Sequence, residues 1–537
     1  RDRRVVSPTM DQRPFLNEKE PTVQLRTWSA WRVFSIFFFP ALGGLLFGYD
    51  IGATSYVSTQ LQDKHDSGVS WYHFVESSTV LQGAITSAGV GGAFLGSIIV
   101  FRVTTALGTR REMLTASLLY ITGAVLEAFS SYKSLSANAG ISVLLVGRWI
   151  YGVGCGFAMH GAPSYIAEMS PPDIRGGLVS LKECMIVVGI LLGYVMGYLF
   201  QNQPNGWGIV YGVSIIPAVL FFFGVLALPS PARWLLARGD EEAAEASVMY
   251  VYTDRNTGMT IFRDMVYSAQ VATTRNQGVK PPLFTQKNKR ALIAALGVVT
   301  LQQVTGQPSV LYYAAEIFDS AGISSYAAVL TGCFKLCATL GSVVVVDKFG
   351  RRWLLLVGIS IMFLALTLMC FAFYGYKPAT DDDGDDGDGI TTRTAIIIVG
   401  MFLYIGGYQV SFGPIAWLLI SEIFAIDVRD QAIAIAVQFN FGWNLAVTFL
   451  YPVIVDGLGS WLGVRHEYTA AFGIFDILTL YSIYFVYQYV PETKGLSLEQ
   501  IEQLLQSPTL NVRSSASIAR SLKNEDESDD QYSNISA

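Results

Sequence analysis

Two residues of opposite charge lie inside long apolar stretches of this 537-residue chain: Asp50 in a run that begins near residue 32, and Arg148 in a run that begins near residue 139. A charge at the centre of a bilayer costs about 2.5–3.5 kcal/mol, so such residues usually mark a pathway or a pair. Arg148 would favour an ionised Asp50, whereas burial would favour the neutral acid. A carboxyl group held in that balance can bind and release a proton. The alternative is a static ion pair between packed helices.

The composition is that of a membrane protein. Hydrophobic residues make up 52% of the chain and charged residues 15%, whereas soluble domains are usually about a quarter charged. The mean hydropathy is +0.41. These values argue against a soluble enzyme, a disordered scaffold and a nucleic-acid-binding protein. The 5 cysteines form no C-x-x-C pair, so neither a disulfide framework nor a metal site is expected.

Apolar runs that could cross a bilayer, which needs about 20 residues per helix, recur along the whole chain. The sequence therefore predicts an all-α membrane protein with twelve transmembrane helices. The predicted spans are 32–57, 80–101, 112–132, 139–163, 178–200, 208–228, 290–314, 326–346, 352–376, 394–421, 431–457 and 467–490. Pro308 interrupts the seventh span, and broken helices near the middle of the membrane are typical of transport sites.

A polar stretch divides these spans into two halves of six. The predicted organisation is an N-terminal tail (1–31), a six-helix bundle (32–228), a linker with short helices (229–289), a second six-helix bundle (290–490) and a C-terminal helix with a disordered tail (491–537). Most loop Lys and Arg fall on the side of the tails and linker, which the positive-inside rule makes cytoplasmic. The loop from Asp381 to Asp388 faces the other side, and we interpret it as solvated acidic loop and not as a calcium site, because it lacks the terminal Glu of an EF-hand.

The two halves carry matching charges after corresponding spans. Glu168 precedes Arg175 by seven residues after span four, and Glu422 precedes Arg429 by seven residues after span ten. Chance recurrence of positive-inside charges is the alternative, but the equal acid-to-base spacing argues for duplication. Parallel repeats with a binding site between them describe one transporter architecture.

The motifs, taken in order, are similar to those of a known family. The first half contains Gly147-Arg148 and Gly152-x-Gly154-x-Gly156, then Pro163-Ser-Tyr165-Ile-Ala-Glu168. The second contains Gln302-Gln303-x-x-Gly306, Tyr312-Tyr313, Asp347-Lys-Phe-Gly350-Arg351-Arg352, Gly413-Pro414-x-x-Trp417 and Pro491-Glu492-Thr493-Lys494-Gly495. From about residue 35 to 505 the chain resembles the sugar porter branch of the major facilitator superfamily. Phe47-Gly48-Tyr49-Asp50 and Ser180-Leu181-Lys182-Glu183 most resemble plant vacuolar glucose carriers and proton–xylose symporter-like proteins.

This resemblance implies a proton site in the first half, with Asp50 as proton acceptor and Arg148 as its partner. It also implies a sugar site, where a neutral polyol needs amides, hydroxyls and an aromatic face. Positions that match the sugar-contacting and gating residues of the family are Phe47, Gln302, Gln303, Tyr312, Tyr313, Trp417, Asn440 and Asn444. A family Asn is Pro308 here, so either Gln307 takes its place or the sugar loses one contact. For the paired glutamines, bridging between neighbouring helices is the alternative.

Two further intramembrane charges depart from the family pattern. Glu183 in span five and Lys335 in span eight stand where many sugar porters have a Gln and an Asn. We expect a salt bridge between them that borders the sugar site, where it gates the inner half or provides a second protonation point. A structural pair with no role in coupling is the alternative.

A third set of charges matches the cytoplasmic latch of the family, which holds the two halves together when the carrier faces out. Its members are Glu168, Arg175, Arg110, Arg111, Arg233, Arg351, Arg352, Glu422 and Arg429. The copy in the first half is degraded, because Thr105 and Thr109 replace a usual Asp and Arg. The latch of the second half is therefore the stronger prediction, and ordinary positive-inside anchoring is the alternative.

These features predict a proton-coupled symporter of a monosaccharide, a hexose or pentose such as glucose or xylose, that works by alternating access. A facilitative uniporter is the alternative, and the short tails disfavour a sugar sensor. The chain has no H-E-x-x-H or G-x-S-x-G pattern, so we expect no enzyme. The expected partners are the sugar, the proton and the lipid bilayer, without nucleic acid or cofactor, and the expected unit is a monomer. The expected location is a vacuolar, plastid-envelope or plasma membrane.

Overall fold

The computed structural model describes residues 28–275, 282–374, 392–424, 426–462 and 467–494, together with 496, 500, 501 and 505. Most of both predicted tails and the whole acidic loop from Asp381 to Asp388 lie outside the described residues. Within them the secondary structure is helical, apart from one isolated bridge between Trp28 and Tyr252. The all-α prediction is thereby confirmed.

The helices of the first half and of the linker region are α1 (Ala30–Gln60), α2 (Lys64–Ser67), α3 (Tyr72–Glu76), α4 (Thr79–Leu107), α5 (Thr109–Ser130), α6 (Ala137–Met169), α7 (Arg175–Phe200), α8 (Gly206–Val213), α9 (Ile215–Ala227), α10 (Ala232–Leu236), α11 (Glu241–Val251) and α12 (Arg255–Arg275). Those of the second half are α13 (Lys289–Val304), α14 (Gln307–Tyr312), α15 (Ala314–Ser320), α16 (Tyr326–Lys348), α17 (Arg351–Phe373), α18 (Thr392–Val410), α19 (Phe412–Ile423), α20 (Ile426–Leu462) and α21 (Glu467–Tyr489).

In the described chain, 10 helical segments are long and apolar enough to cross a membrane. They correspond to ten of the predicted spans, with α8–α9 and α18–α19 each forming one segment. The predicted eighth span is α16, whose apolar part is the shorter segment Tyr326–Ser342. The predicted seventh span is divided among α13, α14 and α15, so no single helix of it reaches the length of a membrane crossing.

The seventh span breaks at Gly306 and not at Pro308. Gly306 has a φ of 98°, a conformation that glycine adopts far more readily than other residues. Pro308 follows within the first turn of α14, where its missing N–H costs nothing because the first N–H groups of a helix have no intrahelical partner. A second break separates α14 from α15 at Tyr313.

Hydrogen bonds join the two halves at one end of the helical bundle. We call the end that carries α10, α11 and α12 the linker side and the opposite end the far side. At the far side, Tyr56 donates its hydroxyl to the carbonyl of Ser325 at 2.6 Å, and the Ser325 hydroxyl donates to Gln201 Oε1 at 2.7 Å. Deeper in the bundle, Tyr194 donates to the carbonyl of Leu311 at 2.8 Å. The far side is therefore closed by bonds between α1 or α7 and the second half.

Candidate functional site

Asp50 and Arg148, which the sequence places in different spans, meet in the interior of the first half. Arg148 Nη1 lies 3.0 Å from Asp50 Oδ1, and Nη2 lies 3.4 Å from Oδ2. Both side chains are almost fully excluded from solvent, with 0% exposure for the arginine and 5% for the aspartate. Buried charges are tolerated when they are paired and hydrogen-bonded, and this pair meets both conditions.

The space for this pair depends on a small residue in α4. A Cβ atom placed at Gly89 would lie 3.0 Å from Asp50 Oδ2 and 3.1 Å from Arg148 Nη2. The same helix contributes carbonyl acceptors, since Arg148 Nε donates to Ile85 at 2.6 Å and Nη2 donates to Thr86 at 3.2 Å. The guanidinium is thus fixed by α4 independently of Asp50, so it can stay in place when the carboxylate changes its charge.

Two residues that the sequence analysis missed complete this cluster. The Tyr211 hydroxyl of α8 accepts from Arg148 Nη1 at 2.8 Å and lies 3.3 Å from the Thr54 hydroxyl. Glu127 of α5 is 1% exposed and places Oε1 3.9 Å from Arg148 Nη1. A carboxylate in an apolar span was the signal that identified Asp50, and it was equally present at Glu127. Tyr211 carried no comparable signal.

The predicted glutamine pair forms the centre of an amide cluster in the second half. Gln302 Nε2 donates to the carbonyl of Phe412 at 2.9 Å, at the start of α19, where the tenth span is broken at Ser411. Gln302 Oε1 accepts from Asn440 Nδ2 at 3.1 Å and lies 3.5 Å from Gln303 Nε2. The helix-bridging role weighed above therefore describes Gln302 well. Gln303 differs, because its Oε1 is buried without a protein donor.

Other predicted sugar-site residues lie on α14, α19 and α20 or next to them. The Asn444 Oδ1 atom accepts from the Thr448 hydroxyl at 3.2 Å, and Tyr313 donates to the carbonyl of Thr448 at 3.1 Å. The Tyr312 hydroxyl is buried and has no protein partner. Gln307 and Trp417 are partly buried. Unpartnered polar atoms at Gln303 and Tyr312 are groups that a polyol could satisfy.

Phe47 links two clusters. We call Gln302, Gln303 and Asn440 the sugar cluster, and Asp50, Glu127, Arg148 and Tyr211 the proton cluster. Its ring meets that of Phe441 edge-on, with 6.0 Å between centroids. Phe47 lies three residues before Asp50 on α1, and Phe441 follows Asn440 on α20. This aromatic contact between the two halves therefore connects the helix that carries Asp50 with the helix that bonds Gln302.

The expected salt bridge between Glu183 and Lys335 is not formed between these two described residues. Lys335 Nζ instead donates to Gln409 Oε1 at 2.8 Å and lies 5.4 Å from the centroid of the Tyr408 ring. Lys335 is 4% exposed, whereas Glu183 is only half-buried. The fully buried ammonium needs an acceptor in direct contact, and α18 supplies a neutral amide. The sequence analysis overlooked Gln409, since a neutral amide gives no charge signal.

The predicted latch charges of the second half bond within their own half. Arg351 Nη2 pairs with Glu422 Oε1 at 3.0 Å, and Glu422 Oε2 accepts from the Thr493 hydroxyl at 2.6 Å. The backbone N–H groups of Arg351 and Arg352 donate to Glu492. Arg429 caps the carbonyl of Phe424 at 3.1 Å. In this conformation these residues hold the linker ends of α17, α19 and α21 together.

Three of the first-half charges, Arg110, Arg111 and Arg175, contact their own half or the linker. Arg110 donates to the carbonyl of Leu226 at 2.7 Å, and Arg111 lies 5.7 Å from the Trp234 ring centroid. Arg175 donates to the carbonyl of Ser170 at 3.3 Å. Arg233 is exposed, and Glu168 is half-buried beside Tyr165 in α6. A latch between the halves stays a prediction for the opposite conformation.

Comparison with known proteins identifies relatives over nearly the whole chain. A family model described as "Sugar (and other) transporter" matches residues 36–505. The D-xylose-proton symporter-like 2 protein of Arabidopsis thaliana is 40% identical over 484 residues, which cover 87% of this chain and 89% of that protein. The glucose transporter GlcP of Staphylococcus epidermidis is 30% identical over 480 residues, which cover 88% of this chain and 97% of that protein.

Solved structures agree with these relatives. The xylose transporter XylE of E. coli in an inward-open conformation matches with a TM-score of 0.71 at 26% identity, covering 88% of this chain and 99% of that chain. The proton:xylose symporter XylE bound to 6-bromo-6-deoxy-D-glucose matches with a TM-score of 0.68 at 27% identity, covering 89% and 99%. The resemblance stated from the motifs is confirmed.

Proposed function

Because the chain belongs to the sugar porter family of the major facilitator superfamily, we propose that it is a proton-coupled monosaccharide symporter that works by alternating access. One observation carries the proton-coupled part: the buried contact of 3.0 Å between Asp50 and Arg148. A uniporter has no need of an ionisable carboxyl group in the interior of span one. A hexose or pentose is the substrate class, since relatives carry the names of a xylose symporter and a glucose transporter.

The proton step begins at Asp50. Its carboxylate and the guanidinium of Arg148 form a neutral pair, and protonation of Asp50 weakens the attraction between them. Arg148 remains held by the carbonyls of Ile85 and Thr86 and by Tyr211. Protonation therefore weakens the attachment of α1 to Arg148 of α6, while Arg148 stays hydrogen-bonded to α4 and α8. Neutralising Asp50 in this way allows α1 to move.

The sugar step uses the amide cluster of the second half. Gln302 is held by Phe412 and Asn440, so its orientation is set before sugar arrives. Gln303 and Tyr312 then offer the buried polar atoms that lack protein partners, and Trp417 offers an aromatic face. A neutral polyol suits this set, since each hydroxyl can both donate and accept.

The two steps are coupled through α1. Phe47 and Asp50 lie on the same helix, and Phe47 touches Phe441 beside Asn440. Movement of α1 after protonation changes the contact between the halves at the sugar cluster, and bound sugar restrains the same contact. Each ligand then favours the state that binds the other, as linkage requires.

The predicted halves, residues 32–228 and 290–490, are the units that rock about the sugar site, and 229–289 joins them. With the linker side cytoplasmic, the far-side bonds of Tyr56 and Ser325 describe an inward-facing state. The match to an inward-open relative supports this assignment. The transport site lies within one chain, so a monomer embedded in lipid is the proposed functional unit, with both termini in the cytoplasm.

Uptake of labelled xylose and glucose into proteoliposomes, with and without an imposed pH gradient, tests this function. A symporter accumulates sugar above the external concentration only when the gradient is present. Equilibration without accumulation would identify a uniporter, and no uptake of either sugar would favour a sensor or a different substrate.

A further inference from the structure

Glu127 is a second carboxyl group of the proton cluster, and none of the steps above uses it. It comes from α5, a helix that the family motifs leave without a function in transport. Its side chain is 1% exposed, and Oε1 lies 3.9 Å from Arg148 Nη1. Oε1 receives no hydrogen bond from the protein. A buried, ionisable and unpartnered oxygen this close to a guanidinium requires an explanation.

The charges around Arg148 do not balance if both carboxyl groups are ionised. One guanidinium would then face two carboxylates in a region almost fully excluded from solvent, and the net charge would be −1. The other titratable groups that surround the cluster are neutral at physiological pH. They are Tyr120 of α5, Tyr151 and Cys155 of α6, Tyr211 of α8, Tyr312 of α14 and the adjoining Tyr313. From α4 the carbonyl oxygens of Ile85 and Thr86 face the pair. A net charge in such a place is costly, so the cluster gains by binding one proton.

The hydrogen bonds indicate where that proton resides in this conformation. Asp50 faces three donors: two guanidinium nitrogens and the Thr54 hydroxyl at 3.4 Å. Glu127 Oε1 receives no hydrogen bond, and Arg148 Nη1 lies 3.9 Å from it. Donors favour the ionised form of the group they contact, so the proton belongs to Glu127 while Asp50 remains the carboxylate.

We propose that Asp50 and Glu127 share one transported proton, with Arg148 as the fixed counter-charge, so that the loaded cluster is neutral. This inference rests on the proposed proton coupling and extends it. With Glu127 present, loading takes the cluster from −1 to zero. Without Glu127, loading Asp50 would take it from zero to +1 and leave Arg148 without a counter-ion. The second carboxyl thus allows the cluster to bind a proton without leaving an uncompensated charge in the interior.

The first test compares the pH dependence of accumulation in proteoliposomes. Glu127→Gln keeps the shape of the side chain and removes its charge. We expect half-maximal accumulation to move by about one pH unit toward acid, while accumulation at low pH is retained. Asp476→Asn is the matched control: Asp476 is an intramembrane carboxyl of the second half that accepts from Thr367 at 3.0 Å, and its loss should leave the pH profile unchanged. A wild-type profile in Glu127→Gln would overturn the inference.

The second test does not depend on transport and uses infrared difference spectra of the purified full chain. At a pH where the wild type is loaded, it should show a buried protonated carboxyl group. Glu127→Gln should lose that band. Asp50→Asn should lose the same band, because Glu127 must then stay ionised to balance Arg148. Persistence of the band in Asp50→Asn would mean that Glu127 is protonated for structural reasons alone, and the sharing of one proton would be refuted.

These outcomes separate the inference from the function on which it rests. If Asp50→Asn abolishes accumulation and Glu127→Gln leaves the pH profile unchanged, proton coupling stands and the shared proton fails. If Asp50→Asn still accumulates sugar, the proposed coupling itself fails. If Glu127→Gln does not fold, Glu127→Asp retains a carboxyl group and should keep the protonated band, whose absence would again count against sharing.

Discussion

Lys335 donates a hydrogen bond of 2.8 Å to Gln409, and this contact ties the middle of α16 to the last turn of α18. Gln409 precedes the break at Ser411 by two residues, and on the other side of that break the carbonyl of Phe412 accepts from Gln302. A buried cation and a sugar-site glutamine thus hold the two sides of one helix break. The tenth span is therefore positioned by polar contacts from α16 and α13.

The first prediction concerns this contact. Gln409→Leu should leave the buried ammonium group of Lys335 without a hydrogen-bond acceptor. We expect it to reduce the free energy of unfolding by about 3 kcal/mol. Adding Lys335→Met in the same chain should recover most of that loss, because the double variant buries neither charge nor unpaired amide. Thermal unfolding of the purified protein measures both changes. Glu183→Gln is the comparison: a loss as large as that of Gln409→Leu would show that Glu183, and not Gln409, balances Lys335.

The second prediction concerns Asp50. Asp50→Asn removes the proton-binding group but keeps a side chain that can face Arg148 and Thr54. We expect accumulation driven by a pH gradient to be lost at every pH, because no proton moves with the sugar. Exchange of labelled for unlabelled sugar at equal pH should remain measurable, which shows that the protein is folded and binds sugar. Accumulation that survives in this variant would make Asp50 a structural residue.

The third prediction tests the geometry of the ion pair through its neighbour. Gly89→Ala would place a methyl group 3.0 Å from Asp50 Oδ2 and 3.1 Å from Arg148 Nη2. The pair would have to separate, so we expect a several-fold lower accumulation ratio, with sugar exchange less affected. Gly177→Ala in the first turn of α7 is the matched control, since no atom lies within 4 Å of the added Cβ. Equal behaviour of the two variants would contradict the close approach of α4 to the pair.

The residues of the proton cluster show how far the sequence alone could lead. Asp50 and Arg148 were predictable, because a charge in an apolar span is costly and opposite charges at similar depth in the membrane attract each other. Glu127 gave the same signal but lies near the end of its span, where a carboxylate is usually assigned to the membrane surface. Helix breaks were only partly predictable: Pro308 indicated one, yet the backbone turns at Gly306.

Partners on different helices were harder to predict than charges. Glu183 was the expected partner of Lys335 because their charges are opposite, but the neutral Gln409 lies closer to the ammonium group. Rotation of α16 relative to α7 and α18 decides that choice, and one sequence does not reveal it. The pairing of the latch charges was hard to predict for the same reason. Arg351 and Glu422 are both conspicuous in the sequence, but their pairing within one half depends on how the helices pack.

The last prediction separates the two glutamines of span seven. Gln302 bonds Phe412 and Asn440, whereas Gln303 Oε1 is buried without a protein donor. Gln302→Leu should therefore reduce both thermal stability and sugar affinity. Gln303→Leu should reduce affinity by up to about tenfold, the value of one hydrogen bond. It should leave stability nearly unchanged, because Gln303 Oε1 has no protein donor and Nε2 makes only a long bond of 3.5 Å to Gln302. Binding of xylose and glucose, measured beside thermal unfolding, distinguishes them. Equal losses of stability in both variants would mean that Gln303 supports the fold, and the sugar would then have to be held by Tyr312 and Trp417 without it.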